Sequence, residues 1–265
     1  MVSRAPIRLG TQGFSYKDWI GPFYPPGTRP DRYLPLYAEV FDAVELDTTF
    51  YGAPIASRVD GWRDATPDNF LFTAKLPRSI THDRRLIDAE EDLEAFVDVM
   101  RRLDHKLGPL LIQLPPDFTV DERPAFEQFL ALLPQDLRFA AEFRHRSWLT
   151  ESTEELLRDH AVAWTMIDLH YMPIKSAITT DFTYVRWLGD HRKITHLGAT
   201  QLDRREDLHR WAEELEEVTR RVERMYGFVN NHYSGHSPGD VRLLREMLGL
   251  PEAPPLPRSE QGTLL

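Results

Sequence analysis

Eight short apolar runs punctuate the chain, and the segments between them are too long for hairpins. The runs are IRLGT (7–11), AVEL (43–46), FLFTAK (70–75), PLLIQL (109–114), RFAAEF (138–143), VAWTMI (162–167), TYVRW (183–187) and YGFVN (226–230). Antiparallel neighbours can be joined by two residues, whereas parallel ones need a crossover of about a dozen, usually a helix. Helical text lies between most of the runs. Residues 88–108 place Leu93, Phe96, Val97, Met100 and Leu103 at helical spacing, with acids early and Gly108 past the end. Residues 121–133 open with acids and a proline, a helix entry. Residues 152–160 carry a Ser-x-x-Glu capping box at Ser152 and Glu155. Residues 203–225 form a long charged helix, and 238–249 form the last.

Strand and helix therefore alternate along the whole length, which argues for an α/β fold of parallel strands with helical crossovers. Eight units make a single TIM-type (β/α)8 barrel the simplest closure, with a doubly wound open sheet as the rival. A barrel needs about 250 residues, so residues 1–250 form it and the proline-rich stretch 251–265 is a tail. One crossover breaks the rule. Between Asp168 and Thr183 there is a proline and no helical stripe, so strands six and seven are joined without a regular helix.

Composition removes several function classes. There is no cysteine, hence no disulfide or thiolate chemistry. No window has the run of about 18 apolar residues that a membrane span needs. MVSRAPIRLG lacks the apolar core of a signal peptide, so a cytoplasmic location is expected. The net charge of −10 disfavours extended contact with nucleic acid, though a cleft can hold a local field of opposite sign. No dinucleotide fingerprint, phosphate loop or nucleophile elbow occurs.

In parallel α/β folds ligands meet the carboxyl ends of the strands. Those ends carry Tyr16 and Trp19 after the first strand, then Glu45 and Asp47 on one face, with Tyr51 beyond. Lys75, Thr81 and His82 follow the third strand, and Gln113 the fourth. The fifth ends in AEFRHRSW, which offers Glu142, Arg144 and Trp148. Asp168, Arg186, and the trio Asn230, Asn231 and His232 close the last three strands. Glu142 and Arg144 can simply satisfy each other as an ion pair. Buried ion pairs give a fold little stability, however, and polar residues recur at every strand end. Arginine forks suit planar or tetrahedral anions. The carboxylates suit general acid–base work, or a divalent metal shared with His82 or His232. No local metal motif is present, so a metal is allowed and none is required.

The segments GTQGFSYKDWIGPFYP (10–25), VELDTTFYGAP (44–54), FTAKLPRSITH (72–82), GPLLIQLPP (108–116), AEFRHRSW (141–148), YVRWLG (184–189) and FVNNHYSGHSP (228–238) resemble the YecE-like family, domain of unknown function 72. The match runs in order over nearly the whole chain. The resemblance implies a TIM-type barrel and a polar signature at Glu45, Lys75, Thr81, His82, Gln113, Glu142, Arg144, Trp148, Arg186, Asn230, Asn231 and His232. Two positions depart from the family pattern: Asp47 stands where asparagine is usual, and Leu188 where histidine is frequent. The resemblance names a family and not a reaction.

The expected function is an enzyme (hydrolase, lyase or isomerase) acting on a small anionic, phosphorylated sugar- or nucleotide-like substrate. Glu45, His82, Glu142, Asp168 and His232 are the candidate catalytic groups. Tyr16, Trp19, Asp47, Tyr51, Lys75, Thr81, Gln113, Arg144, Trp148, Arg186, Asn230 and Asn231 are the candidate substrate contacts. Two alternatives stand beside it: a metal-dependent phosphodiesterase on nucleic acid, and a non-catalytic metabolite- or nucleic-acid-binding protein. The sequence assigns no oligomeric state.

Overall fold

The computed structural model describes residues 4–255. These form eight strands: β1 (Ile7–Gln12), β2 (Ala43–Leu46), β3 (Leu71–Lys75), β4 (Leu107–Gln113), β5 (Phe139–Glu142), β6 (Val162–Leu169), β7 (Phe182–Gly189) and β8 (Arg224–Val229). Every neighbour pair is parallel, and β8 pairs back onto β1 to close the barrel in chain order. The expected TIM-type barrel is thus what the chain builds, and the open sheet is not.

Side-chain alternation decides what fills the lumen. Phe182 and Tyr184 of β7 and Tyr226 and Phe228 of β8 point inward and pack on Ala43, Ala140 and Ala163 from β2, β5 and β6. β7 and β8 supply the rings, Leu111 of β4 adds to them, and the three alanines supply the space. Interiors are packed to crystal density, so large residues at those alanines would have no room. The opposite face of each strand meets the helices through a continuous apolar layer that includes Leu9, Val44, Phe72, Ile112, Phe143, Met166 and Trp187.

The crossovers are α1 (Tyr33–Val40), α2 (Ala56–Asp64), α3 (Glu90–Met100), α4 (Arg123–Ala131), α5 (Glu151–Asp159), α6 (Arg205–Val218) and α7 (Ser237–Met247). α3 starts with Glu90, Glu91 and Asp92, where the helix dipole favours acids, and buries Leu93, Phe96, Val97 and Met100. It stops earlier than its periodicity predicts, because Arg101–Lys106 tighten into a 3-10 segment. α6 also ends early, at Val218: Val222 and Met225 keep the helical spacing, but Met225 is taken into β8, where it pairs with Ile7. The cap of α5 is Thr150, which accepts from the Thr153 amide at 3.2 Å, rather than Ser152. A capping box does form one crossover earlier, between Thr119 and Glu122. As expected, residues 170–181 between β6 and β7 contain no helix. Of the proline-rich stretch, 251–255 lie against α7, where Arg242 bonds the carbonyls of Ala253 and Pro254, and 256–265 lie outside the described residues. No helix among the described residues is long and apolar enough to cross a membrane.

Candidate functional site

The inward register that seats the aromatic layer also fixes what stands above it. On β7, Arg186 is two residues past Tyr184 and so enters the lumen; it is fully buried. On β2, Glu45 is two past Ala43, and on β5, Glu142 is two past Ala140; both are fully buried. Arg186 stands between the two carboxylates. Its Nη2 and Nε donate to Glu45 Oε1 at 2.8 and 3.2 Å, and its Nη1 donates to Glu142 Oε2. The other Glu45 oxygen accepts from the Tyr184 hydroxyl at 2.7 Å. Because that proton is spent on Glu45, the Thr73 hydroxyl, 2.9 Å away, must donate to Tyr184. A charge taken out of water costs several kcal/mol unless it is paired and bonded, and here all three guanidinium nitrogens are engaged.

Glu142 also accepts from Arg144 Nε at 2.6 Å, and Arg144 Nη2 donates to Gln113 at 3.1 Å. Burial pushes the Glu142 carboxyl up, but Arg186, Arg144 and Lys75 outweigh it and hold it at about 2. Glu142 is therefore an ionised, doubly paired anchor at neutral pH, and a poor proton donor or acceptor.

Lys75 is different. It ends β3, its carbonyl is tied by the Thr49 hydroxyl at 2.8 Å, and its ammonium sits 5.2 Å from the centre of the Phe50 ring. It makes no hydrogen bond or ion pair to a side chain among the described residues. Burial, with Arg186 adding repulsion, lowers it to about 8 against the opposing pull of Glu45 and Glu142. Asp47 is neighbour to Lys75 and Tyr16. Burial raises its carboxyl, and Lys75 only partly offsets that. The phenol of Tyr16 donates to the Gln12 carbonyl at 2.8 Å and lies 3.5 Å from Asp47 Oδ2.

His82 and Thr81 occupy a single π-helical turn, Ser79–Asp83, a local irregularity often found at functional sites. The Thr81 hydroxyl is 2.9 Å from His82 Nδ1, and the His82 ring meets Phe50 edge-on at 4.9 Å. Burial, reinforced by Arg144, Arg78 and Lys75, lowers His82 to about 4, so the ring is neutral at pH 7. Just past β8, Asn230 donates to Gln12 at 2.8 Å and accepts from the His232 amide at 2.8 Å. Gly189 makes this approach feasible: its φ is +69°, and a Cβ there would lie 2.2 Å from the His232 carbonyl oxygen.

The structure thus brings together Glu45, Asp47, Lys75, Gln113, Glu142, Arg144 and Arg186, with Tyr16, Thr81, His82, Asn230 and His232 around them. It does not bring the others. Asp168 faces out of the barrel, because Ala163 fixes the parity of β6, and its Oδ2 accepts from Trp211 at 2.8 Å and Tyr233 at 3.0 Å. Trp148 is fully buried, stacked on Phe143 and Phe118, with its Nε1 bonded to the Phe118 carbonyl. Trp19 is likewise buried among Tyr16, Phe23, Tyr24 and Tyr37, and donates to Asn231. Asn231 spends its carbonyl there and on Ser237. Tyr51 stands 84% exposed on the β2–α2 connection, where it lines a surface groove with Ile55, Arg58 and Trp62.

Two features of the mouth escaped the sequence. Tyr184 is one, although its place two residues before Arg186 already put it on the same face. Tyr171 is the other. It sits on the helix-free connection after β6, where burial raises its phenol and Arg144 opposes the rise. The β6–β7 side of the mouth is apolar: Ile167, Leu169, Met172 and Leu188 form one buried cluster. Among the described residues no three His, Asp or Glu side chains converge as a metal ion would need. The two buried carboxylates are bridged by Arg186 instead.

Known proteins agree with this architecture. UPF0759 protein YecE of Escherichia coli strain K12 is 34% identical over 119 residues, a match covering 45% of this chain and 44% of YecE, less than half of that protein's length. UPF0759 protein YunF of Bacillus subtilis is 26% identical over 274 residues, 92% of this chain and 95% of YunF. The crystal structure of a DUF72 family protein from Thermotoga maritima superposes with a TM-score of 0.82 at 31% identity, covering 92% of this chain and 99% of that one. The model for "Protein of unknown function DUF72" matches residues 8–262, and the chain belongs to that family.

Proposed function

We propose that the chain is an enzyme acting on a small anionic, hydroxyl-bearing compound held at the carboxyl mouth of the barrel. One observation carries this reading. Inside a protein of net charge −10, the two buried carboxylates Glu45 and Glu142 face three cations, Arg186, Arg144 and Lys75. Burial raises the carboxyl of Asp47, and Lys75 has no side-chain partner among the described residues, so the mouth holds a positive field that its own carboxylates do not pair off. Clefts with low-dielectric walls concentrate such a field.

The roles divide by environment. Arg186 is spent on the frame. Arg144, with a side chain 21% exposed, is the guanidinium open to an incoming anion. Lys75 titrates near neutrality and Asp47 is raised toward it, which suits proton transfer better than Glu142 does. Asn230, half-buried and with one amide N–H left after its bond to Gln12, can donate to a hydroxyl, and the neutral ring of His82 is an acceptor. A metal-dependent phosphodiesterase on nucleic acid has less support, because Arg186 takes the place between the carboxylates and the overall charge opposes an extended phosphate backbone.

The test is a calorimetric and thermal-shift screen of small phosphorylated and carboxylated hydroxy compounds, on the native chain and on Arg144→Met. Saturable binding that the variant loses, with substrate consumed in NMR spectra, supports the reading. Saturable binding without turnover would make the chain a binding protein. Equal response of both proteins to every compound would remove the anion site.

A further inference from the structure

The lysines of this chain are Lys17, Lys75, Lys106, Lys175 and Lys193. Four have ordinary surroundings. Lys17 and Lys193 are exposed. Lys106 is capped by the carbonyls of Arg63 and Thr66 at 2.6 and 2.7 Å. Lys175 pairs with Glu154 at 2.7 Å and covers Trp164. Lys75 alone is half-buried on a strand end facing the mouth, with its ammonium beside the Phe50 ring and no hydrogen-bond or ion-pair partner among the described residues. A cation whose only task was structural would pair with Glu45 or Glu142, yet both are already committed to Arg186. An ammonium in this position is costly to the fold, and the cost falls if it releases its proton. A neutral amine is a nucleophile toward carbonyl carbon.

We propose that Lys75 is the nucleophile of an imine-forming step, and that the compound held in the mouth is a small aldehyde or ketone bearing an anionic group. This inference rests on the anion-site reading above and narrows its substrate class. The neutral Nζ adds to the carbonyl carbon, and the carbonyl oxygen takes a proton to give a carbinolamine. The nitrogen pair then expels that oxygen as water, and a protonated carbon–nitrogen double bond remains. No oxidant or reductant is needed. The expelled oxygen requires a proton donor, and Asp47, whose carboxyl burial raises, is the neighbour suited to supply it. Arg144 holds the anionic end. The charged or titratable groups facing Lys75 are Glu45 and Asp47 from β2 and its end, His82 after β3, Glu142 and Arg144 from β5 and its end, and Arg186 from β7.

The experiment traps the imine. The full chain is incubated at pH 7 with glyoxylate, pyruvate or dihydroxyacetone phosphate and cyanoborohydride, and the labelled lysine is located by peptide mass spectrometry. An amine titrating near 8 is about one part in ten neutral at pH 7, against well under one in a hundred for an ordinary lysine, so Lys75 should label at least about tenfold faster than Lys17 or Lys193. Its rate should level off just above pH 8, and Lys75→Arg, with an unchanged circular dichroism spectrum, should lose that label. Labelling of Lys75 no faster than Lys17 or Lys193 with every probe overturns the imine. In that case, binding of lactate or glycerol 3-phosphate that Arg144→Met abolishes would leave the anion site standing. Absence of that binding as well would remove both.

Discussion

Arg186→Met removes the group that neutralises both buried carboxylates, and its consequence can be worked out from the site. Glu45 would keep the Tyr184 hydroxyl, and Glu142 would keep Arg144. Breaking a buried pair from one side costs about 3–5 kcal/mol, because a charge is left uncompensated. For a chain of this size that is a fall of roughly 10 °C in Tm. The pH dependence gives a second handle. In the native chain Glu142 is lowered from 4.5 to about 2, since its arginines overcome the effect of burial. A depressed carboxyl contributes stability above its unfolded value and loses it as pH falls through the folded one. The native chain should therefore lose on the order of 3 kcal/mol between pH 5 and 2 from this group. In the variant Glu142 keeps burial and loses its largest opposing charge, so its carboxyl moves upward and the deficit should be larger at pH 8 than at pH 5. Urea denaturation at both values measures this. Adding Glu45→Gln to Arg186→Met should recover part of the loss. A variant within about 1 kcal/mol of native at pH 8, with an unchanged pH profile, would refute the neutralising role.

Other substitutions separate the mouth from its scaffold. Lys75→Met should raise stability at pH 7 by about 1–3 kcal/mol while abolishing imine trapping, because the lowered folded value makes the ammonium a penalty that is full below pH 8 and fades as pH rises toward 10.4; urea melts at pH 7 and 10 check the sign. Asp168→Asn should cost about 1–2 kcal/mol through its bonds to Trp211 and Tyr233 and leave ligand affinity unchanged by calorimetry. Trp148→Phe should cost about 1–3 kcal/mol, with the Phe118 carbonyl left unpaired, and again leave affinity unchanged.

Much of the fold was legible because period-two runs and helical stripes are local signals. Eight strands, their parallel order and the helix-free connection after β6 all follow from them. α1 and α2 left weaker marks: α1 contains Pro35 and α2 contains Gly61, and α2 buries only Val59. The mouth was legible where parity was anchored, as in the alternation of Glu142, Phe143 and Arg144. It failed on β6, where no inward residue was fixed in advance and the register shifts between Asp168 and Leu169. Trp19 and Trp148 sit beside polar motifs in the chain, yet their rings turn into the helix layer, where large aromatics gain most. Partnership across the lumen was beyond sequence reasoning. Arg186 meets Glu45 over a separation of 141 residues, and strand ends alone do not say which of them touch.

The most direct measurement is the titration of the Lys75 side chain by lysine-selective NMR, with and without inorganic phosphate. The midpoint should lie near 8 and rise when phosphate binds beside Arg144, as an added anion favours the ammonium. A midpoint near the ordinary lysine value of about 10.4, unmoved by phosphate, would contradict both the withdrawn ammonium and the anion site.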